Sequence, residues 1–133
     1  MKISEITNSG NPFPKSKIQR VLYHGTTTQF DKFRRDSHGI YVTPYREWAK
    51  THYGKVIIPL YANVKKIMDL DNGDPEQDRI IDMFYDRDYD AVSKYLANLS
   101  AQGYDCCIFG GESESMVLIG NIQIVNAKTG KAM

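Results

Sequence analysis

Val21-Leu22-Tyr23-His24-Gly25-Thr26-Thr27 is an apolar run that ends on a histidine, a glycine and then hydroxyls. An extended segment with that ending brings polar groups to one point, as the floor of a nucleotide pocket requires. Two later stretches give the run its meaning: Gly39-Ile40-Tyr41-Val42-Thr43, and Glu112-Ser113-Glu114-Ser115-Met116-Val117-Leu118-Ile119. Taken singly, each has a plain structural explanation. A buried histidine needs only a partner at a strand end, Tyr41 is one of nine tyrosines, and Glu112 to Ser115 follow two glycines as a solvated loop does. Three such motifs in one order, at fold-compatible spacings, carry more than each alone.

Outward from that centre, residues 1–19 are polar and rich in breakers, including Asn8-Ser9-Gly10-Asn11-Pro12-Phe13-Pro14. They read as an irregular arm, and residues 20–133 as a single domain. Ile18 to Tyr23 is the first predicted strand. From Thr26 to Ser37 a loop follows, pinned to the body by Phe30 and Phe33, with Arg34 and Arg35 as candidate phosphate contacts. After the strand Gly39–Thr43, Thr43 as N-cap, Pro44 at the first helical position and Gly54 beyond the end predict a helix. Tyr45, Trp48, Ala49 and His52 fall on one stripe, read as its packing face with Trp48 in the core.

Lys55 to Tyr61 is a strand in which Pro59 points to an edge or bulge, and Val64 to Leu70 is a second extended piece. Glu76 to about Gln102 is helical by pattern and splits at Asp86-Arg87-Asp88. Asp105 to Phe109 and Ser115 to Ile119 are strands, and Ile122 to Val125 is expected to pair back as a hairpin. Short strands interrupted by two helical regions predict an α+β domain with a mainly antiparallel sheet.

Composition bounds the function. A chain of 133 residues is one domain with a real core. With 17 Lys and Arg against 16 Asp and Glu, no global field favours nucleic acid or a membrane surface. Cys106 and Cys107 are adjacent and point to opposite faces of a strand, so they cannot readily pair; a reducing, cytoplasmic setting follows. Two cysteines and three scattered histidines assemble no metal-ligand spacing. No run reaches the roughly 20 apolar residues of a membrane span, and the first residues lack the apolar core of a signal peptide.

The succession His24-Gly25-Thr26, Gly39 to Thr43, then Glu114 leading an apolar strand resembles the ADP-ribosyltransferase fold. Within it the similarity is to the His-Tyr-Glu branch that includes diphtheria toxin and the poly(ADP-ribose) polymerases, in the small form found in phages and bacteria. The resemblance spans roughly residues 20 to 125 through its motifs. It implies a split, mainly antiparallel sheet around a central NAD cleft with flanking short helices. By the same analogy Tyr53 pairs with Tyr41 around the nicotinamide. NAD as substrate, a host protein as acceptor and a monomer in the cytoplasm (the host cytosol if phage-encoded) are the further expectations; a nucleic-acid acceptor stays open.

The chemistry agrees with those residue types. Breaking the glycosidic bond of NAD builds an oxocarbenium-like ribose and expels neutral nicotinamide from a cationic ring. His24 is suited to ribose hydroxyls, Gly25 and Thr26 to close approach of the ligand, and Arg34 to a phosphate. Tyr41 stacks on a pyridinium face, a contact of about 0.5–2 kcal/mol. Glu114 supplies the anion that stabilises developing positive charge. If residues 112 to 114 are extended, Glu112 shares a face with Glu114 and serves as the base that activates the acceptor. That Glu-x-Glu spacing is similar to the arginine-modifying branch, which opens with Arg where this chain has His24, so the acceptor stays open. Three readings remain: a mono-ADP-ribosyltransferase, another enzyme on the same fold (an NAD glycohydrolase or an RNA 2′-phosphotransferase), or an NAD-binding module without turnover.

Overall fold

The computed structural model describes residues 11–35, 39–71, 73–111 and 114–133. Seven strands and three helices are formed by the described residues. The strands are β1 (Leu22–Thr26), β2 (Ile40–Val42), β3 (Val56–Ala62), β4 (Ile67–Asp69), β5 (Cys106–Phe109), β6 (Ser115–Leu118) and β7 (Ile124–Asn126). The helices are α1 (Arg46–His52), α2 (Pro75–Tyr85) and α3 (Tyr89–Ala101). A three-stranded sheet has the order β1-β3-β7 and a four-stranded sheet the order β2-β6-β5-β4. Every pairing is antiparallel except β4 with β5, so the fold is α+β with a mainly antiparallel, split sheet.

The two sheets face each other across one apolar core and carry the long helices on a second. Leu22, Ile58 and Leu60 of the smaller sheet pack against Val42, Cys106, Met116 and Leu118 of the larger. On the far side of the larger sheet, Val92, Leu96 and Leu99 of α3 and Phe84 of α2 cover Cys107, Phe109 and Val117. Alternation along a strand decides the partition: Cys106 enters the first core and Cys107 the second, both fully buried and unpaired. The expectation that adjacent cysteines point apart is met, and burial pushes both thiols up, that of Cys107 to about 12.

The sheets meet at one seam. Tyr23 of β1 and Thr43 after β2 exchange backbone hydrogen bonds of 2.8 and 3.1 Å. Beyond that rung β1 and β2 part, and the cavity described below opens between them and the helices.

Several local expectations are corrected. The first strand starts at Leu22 and runs through Thr26, so His24 and Gly25 lie within it, paired with Ile58 and Ile57 of β3. Ile122 to Val125 does not fold back on β6; β7 joins β3 instead, with Leu60 opposite Asn126. The reason is that β6 already has β2 and β5 on its two edges. Pro59 sits in the central strand of its sheet, at the rung where the Ala127 N–H donates to its carbonyl. The β7 ladder ends there, so the bond that proline cannot return falls past the end of the pairing.

Helix α1 is also shorter than its punctuation suggests. Tyr45 occupies the N-cap position without a side-chain cap, and Thr43 Oγ1 accepts from the Tyr45 N–H at 3.3 Å in the turn before it. The rung with Tyr23 ties Thr43 to β1 and keeps it out of the helix. Of the proposed stripe only Ala49 is buried; Tyr45 and Trp48 are 42% and 37% exposed. By contrast the break at Asp86-Arg87-Asp88 is observed, with Asp88 accepting from the Ala91 N–H to cap α3.

Residues 11–20 contain no helix or strand, yet they are docked. Ser16 is buried, donates to the Ala62 carbonyl at 2.7 Å and accepts from the Val64 N–H at 2.9 Å. Ser16→Ala leaves that N–H buried and unsatisfied, which costs about 1–3 kcal/mol. A denaturant midpoint lowered to match is the expected result, and an unchanged midpoint would show that this segment contributes nothing to stability.

Candidate functional site

Where β1 and β2 part, the His24 imidazole takes over from the backbone. Continuing the Tyr23–Thr43 register would set Gly25 opposite Tyr41. Instead the Tyr41 carbonyl lies 2.8 Å from His24 Nδ1. A carbonyl only accepts, so Nδ1 carries the proton and Nε2 is left as an acceptor in the neutral ring. Burial lowers the His24 pKa and outweighs the opposing effect of this hydrogen bond. Phe30 and Phe33 stand edge-on to the ring, with centroids 5.8 and 5.0 Å away, so the loop is pinned by two aromatics as its sequence implies.

Gly25 has a packing reason for lacking a side chain. A Cβ there would lie 2.5 Å from the Ala49 carbonyl and 2.8 Å from Tyr53 Cβ. Helix α1 therefore rests directly on the backbone of β1, and this contact sets Tyr53 beside Tyr41.

A cavity of about 390 Å³ is built on that seam, with His24 and Gly25 of β1, Tyr41 of β2 and Ser115 of β6 in its lining. Trp48, His52 and Tyr53 come from α1 and its end. Phe84, Tyr85, Arg87 and Tyr89 come from the α2–α3 junction, and Phe109 from the end of β5. The volume is in the usual range of small-ligand pockets, roughly 300–1,000 Å³.

Its walls are ordered by aromatic contacts. Tyr41 and Tyr53 have centroids 6.3 Å apart at 51°, Phe84 stacks on Phe109 at 4.9 Å, and Trp48 lies 3.8 Å from His52 at 34°. The Tyr53 hydroxyl donates to Ser115 Oγ at 3.2 Å. Burial pushes the Tyr41 phenol up to about 12. Among the described residues the lining holds no carboxylate, and Arg87 is its only Lys or Arg.

The structure thus brings together His24, Gly25, Tyr41 and Tyr53. Thr26 ends β1 outside the cavity lining and presents its backbone to Gly54. Arg34 is exposed and does not line the cavity. Glu112 lies outside the described residues. Glu114 does not line this cavity; its carboxylate is 3.8 Å from Arg20 Nη1, at a second cavity of about 250 Å³ between the sheets. Glu114 has φ 45° and its N–H donates to the Gly111 carbonyl, so its own backbone is not extended; the pairing with Glu112 lies outside the described residues.

Sequence reasoning missed most of the wall. Trp48, assigned to the core, and His52 line the cavity because Gly25 and Ala49 take the packing position. Pattern alone makes Phe84 and Tyr85 part of a helix and Arg87 part of a helix break, and it assigns Tyr89 no role, yet all four line the cavity; the signal was in the aromatics that flank Asp86-Arg87-Asp88. Ser115 follows from alternation with Val117, which faces the helices.

Among the described residues, no group of three or more His, Cys, Asp or Glu side chains is arranged to hold a metal ion. No described helix is long and apolar enough to cross a membrane.

The lowered His24 pKa has a measurable sign. The unfolded chain takes up the proton near the ordinary value of 6.5 before the folded one does. His24 therefore contributes stability fully above that pH, and the contribution falls as acidification proceeds below it. Unfolding midpoints measured between roughly pH 5 and 8 are expected to show this decline, reduced in His24→Gln. Identical slopes in the two proteins would contradict the burial of a neutral ring.

A search of curated proteins finds no match. Among solved structures, one titled "Crystal structure of an anti-CRISPR protein" is similar with a TM-score of 0.50 and 10% identity, covering 86% of this chain and 98% of that chain. At that identity the likeness is one of fold. Residues 18–132 match the family described as ADP-ribosyltransferase in polyvalent proteins, and because this match runs through nearly the whole chain, the protein belongs to that ADP-ribosyltransferase family.

Proposed function

We propose that the chain is a mono-ADP-ribosyltransferase of the His-Tyr-Glu type, which cleaves NAD and passes ADP-ribose to a protein acceptor of a host cell. The observation that carries this reading is the joining of His24, Tyr41 and Tyr53 at one seam. A flat ring held between two others needs them about 7 Å apart, twice a contact of ~3.5 Å. The 6.3 Å between Tyr41 and Tyr53 is close to that in distance; the rings are tilted by 51°, so a pyridinium ring enters between them with a rotation of Tyr53 that releases its hydroxyl from Ser115. His24 Nε2 accepts from a ribose hydroxyl, and the neutral state imposed by burial keeps it an acceptor.

In the reaction, the bond between ribose C1′ and the nicotinamide nitrogen breaks with its electron pair passing to the ring. The cationic ring becomes neutral nicotinamide, and the acceptor's nucleophilic atom bonds to C1′ and gives up its proton. RNA 2′-phosphate chemistry would want several cations in the wall, and the described lining offers Arg87 alone.

Glu114 is assigned the anion, with Glu112 as the base toward the acceptor. The contact that holds Glu114 outside is weak: the side chains of Arg20 and Glu114 are 44% and 38% exposed, and such a pair is worth about 0–1 kcal/mol. Glu114 also occupies the left-handed region, which is costly for a residue with a Cβ. NAD binding is expected to draw the carboxylate toward the cavity through rotation about its own backbone, one residue before Ser115.

The test is nicotinamide release and labelled ADP-ribose transfer by purified protein, with and without host-cell lysate. Glu114→Gln is expected to retain NAD binding and lose at least ~2 kcal/mol of transition-state stabilisation, about thirtyfold or more in rate. An undiminished rate would remove Glu114 from the site. Tyr41→Ala is expected to weaken NAD binding by calorimetry, and unchanged affinity would contradict the stacking role. Release that lysate does not raise and that labels no protein would replace the transferase reading with NAD hydrolysis.

A further inference from the structure

We propose that the turn between α2 and α3 is an anion-holding wall, in which the Arg87 guanidinium binds the diphosphate of the dinucleotide. The ligand's identity rests on the transferase reading, whereas the anion site itself rests on the geometry of this turn. Arg87 is the only Lys or Arg in the described lining, which contains no carboxylate. Among the described residues it takes part in no ion pair. Its neighbour Asp88 spends its carboxylate on the Ala91 N–H at 3.3 Å, capping α3. The guanidinium is near enough to Tyr41 to oppose the upward effect of burial on that phenol. A planar fork of donors suits two adjacent phosphates better than a point charge does.

The backbone adds an independent observation. Arg87 has φ 56°, its N–H donates to the Phe84 carbonyl and that of Asp88 to the Met83 carbonyl, each at 3.2 Å. This is a left-handed end to α2, a position that glycine fills at lower cost. An arginine at a helix C-terminus also meets the negative end of the helix dipole, so the backbone does not by itself separate a structural role from a binding one. Tyr85 and Tyr89, on either side, are 60% and 49% exposed and line the same cavity. Tyr85 is set edge-on to Phe109 at 5.8 Å, so the turn is anchored to β5 while Arg87 faces the open side.

The experiment is calorimetry on the full chain with three probes: NAD, ADP and nicotinamide riboside, which lacks the diphosphate. In Arg87→Gln, NAD and ADP are expected to bind about tenfold more weakly, a loss of ~1.4 kcal/mol, while nicotinamide riboside stays within about twofold of the unmodified protein. Arg87→Gly is expected to lose the same affinity without a lower unfolding midpoint, an outcome that a purely structural arginine would not produce. Affinity for NAD and ADP unaffected by Arg87→Gln, equal loss for nicotinamide riboside, or no ADP binding by the unmodified chain would each overturn the proposal. The two readings separate cleanly. Arg87-dependent ADP binding without any NAD cleavage keeps the anion site and sinks the transferase, whereas NAD cleavage indifferent to Arg87 does the reverse.

Discussion

The hydrogen bond from His24 Nδ1 to the Tyr41 carbonyl is the constraint on which the site depends. It stands where the β1–β2 pairing gives out after a single rung, and it satisfies a carbonyl that no backbone N–H reaches there. A partly buried carbonyl left without a donor would cost about as much as a lost hydrogen bond. The same bond fixes the imidazole's tautomer and joins the two sheets beside the cavity. Sheet pairing and cavity shape therefore share one contact, and a change at His24 acts on both.

Around that seam, close approach does the positioning. The missing Cβ of Gly25 lets α1 settle on β1, and Tyr53 reaches Ser115 and faces Tyr41 only because the helix lies that close. The aromatic wall opposite is supplied by α2 and α3, which cover the outer face of the larger sheet, and by Phe109 at the end of β5 within that sheet. Charge is sparse: among the described residues the lining holds no carboxylate and Arg87 is its only Lys or Arg.

Much of this was legible in the chain. Tyr41 and Tyr53 were assigned to the same site by motif order and family analogy, and the structure sets them 6.3 Å apart. The helical split at Asp86-Arg87-Asp88 and the divergence of Cys106 and Cys107 follow from local pattern, since a helix stop and a period of two are written in neighbouring residues. The partner of β7, the exposure of Trp48 and the side on which Glu114 lies were not legible. Each depends on which edges and faces are already taken by residues distant in sequence.

The sequence by itself determined the kinds of element and several groups of the cavity: strands carrying His24 and Tyr41, and a helix bringing Tyr53. These follow from short-range periodicity, turn chemistry and motif order. Tertiary structure alone decided that His24 bridges the seam and that Arg87 faces the cavity. It also decided that Glu114 pairs with Arg20 on the other face of the strand. Those outcomes are set by packing and by competition for hydrogen-bond partners, which no single segment encodes.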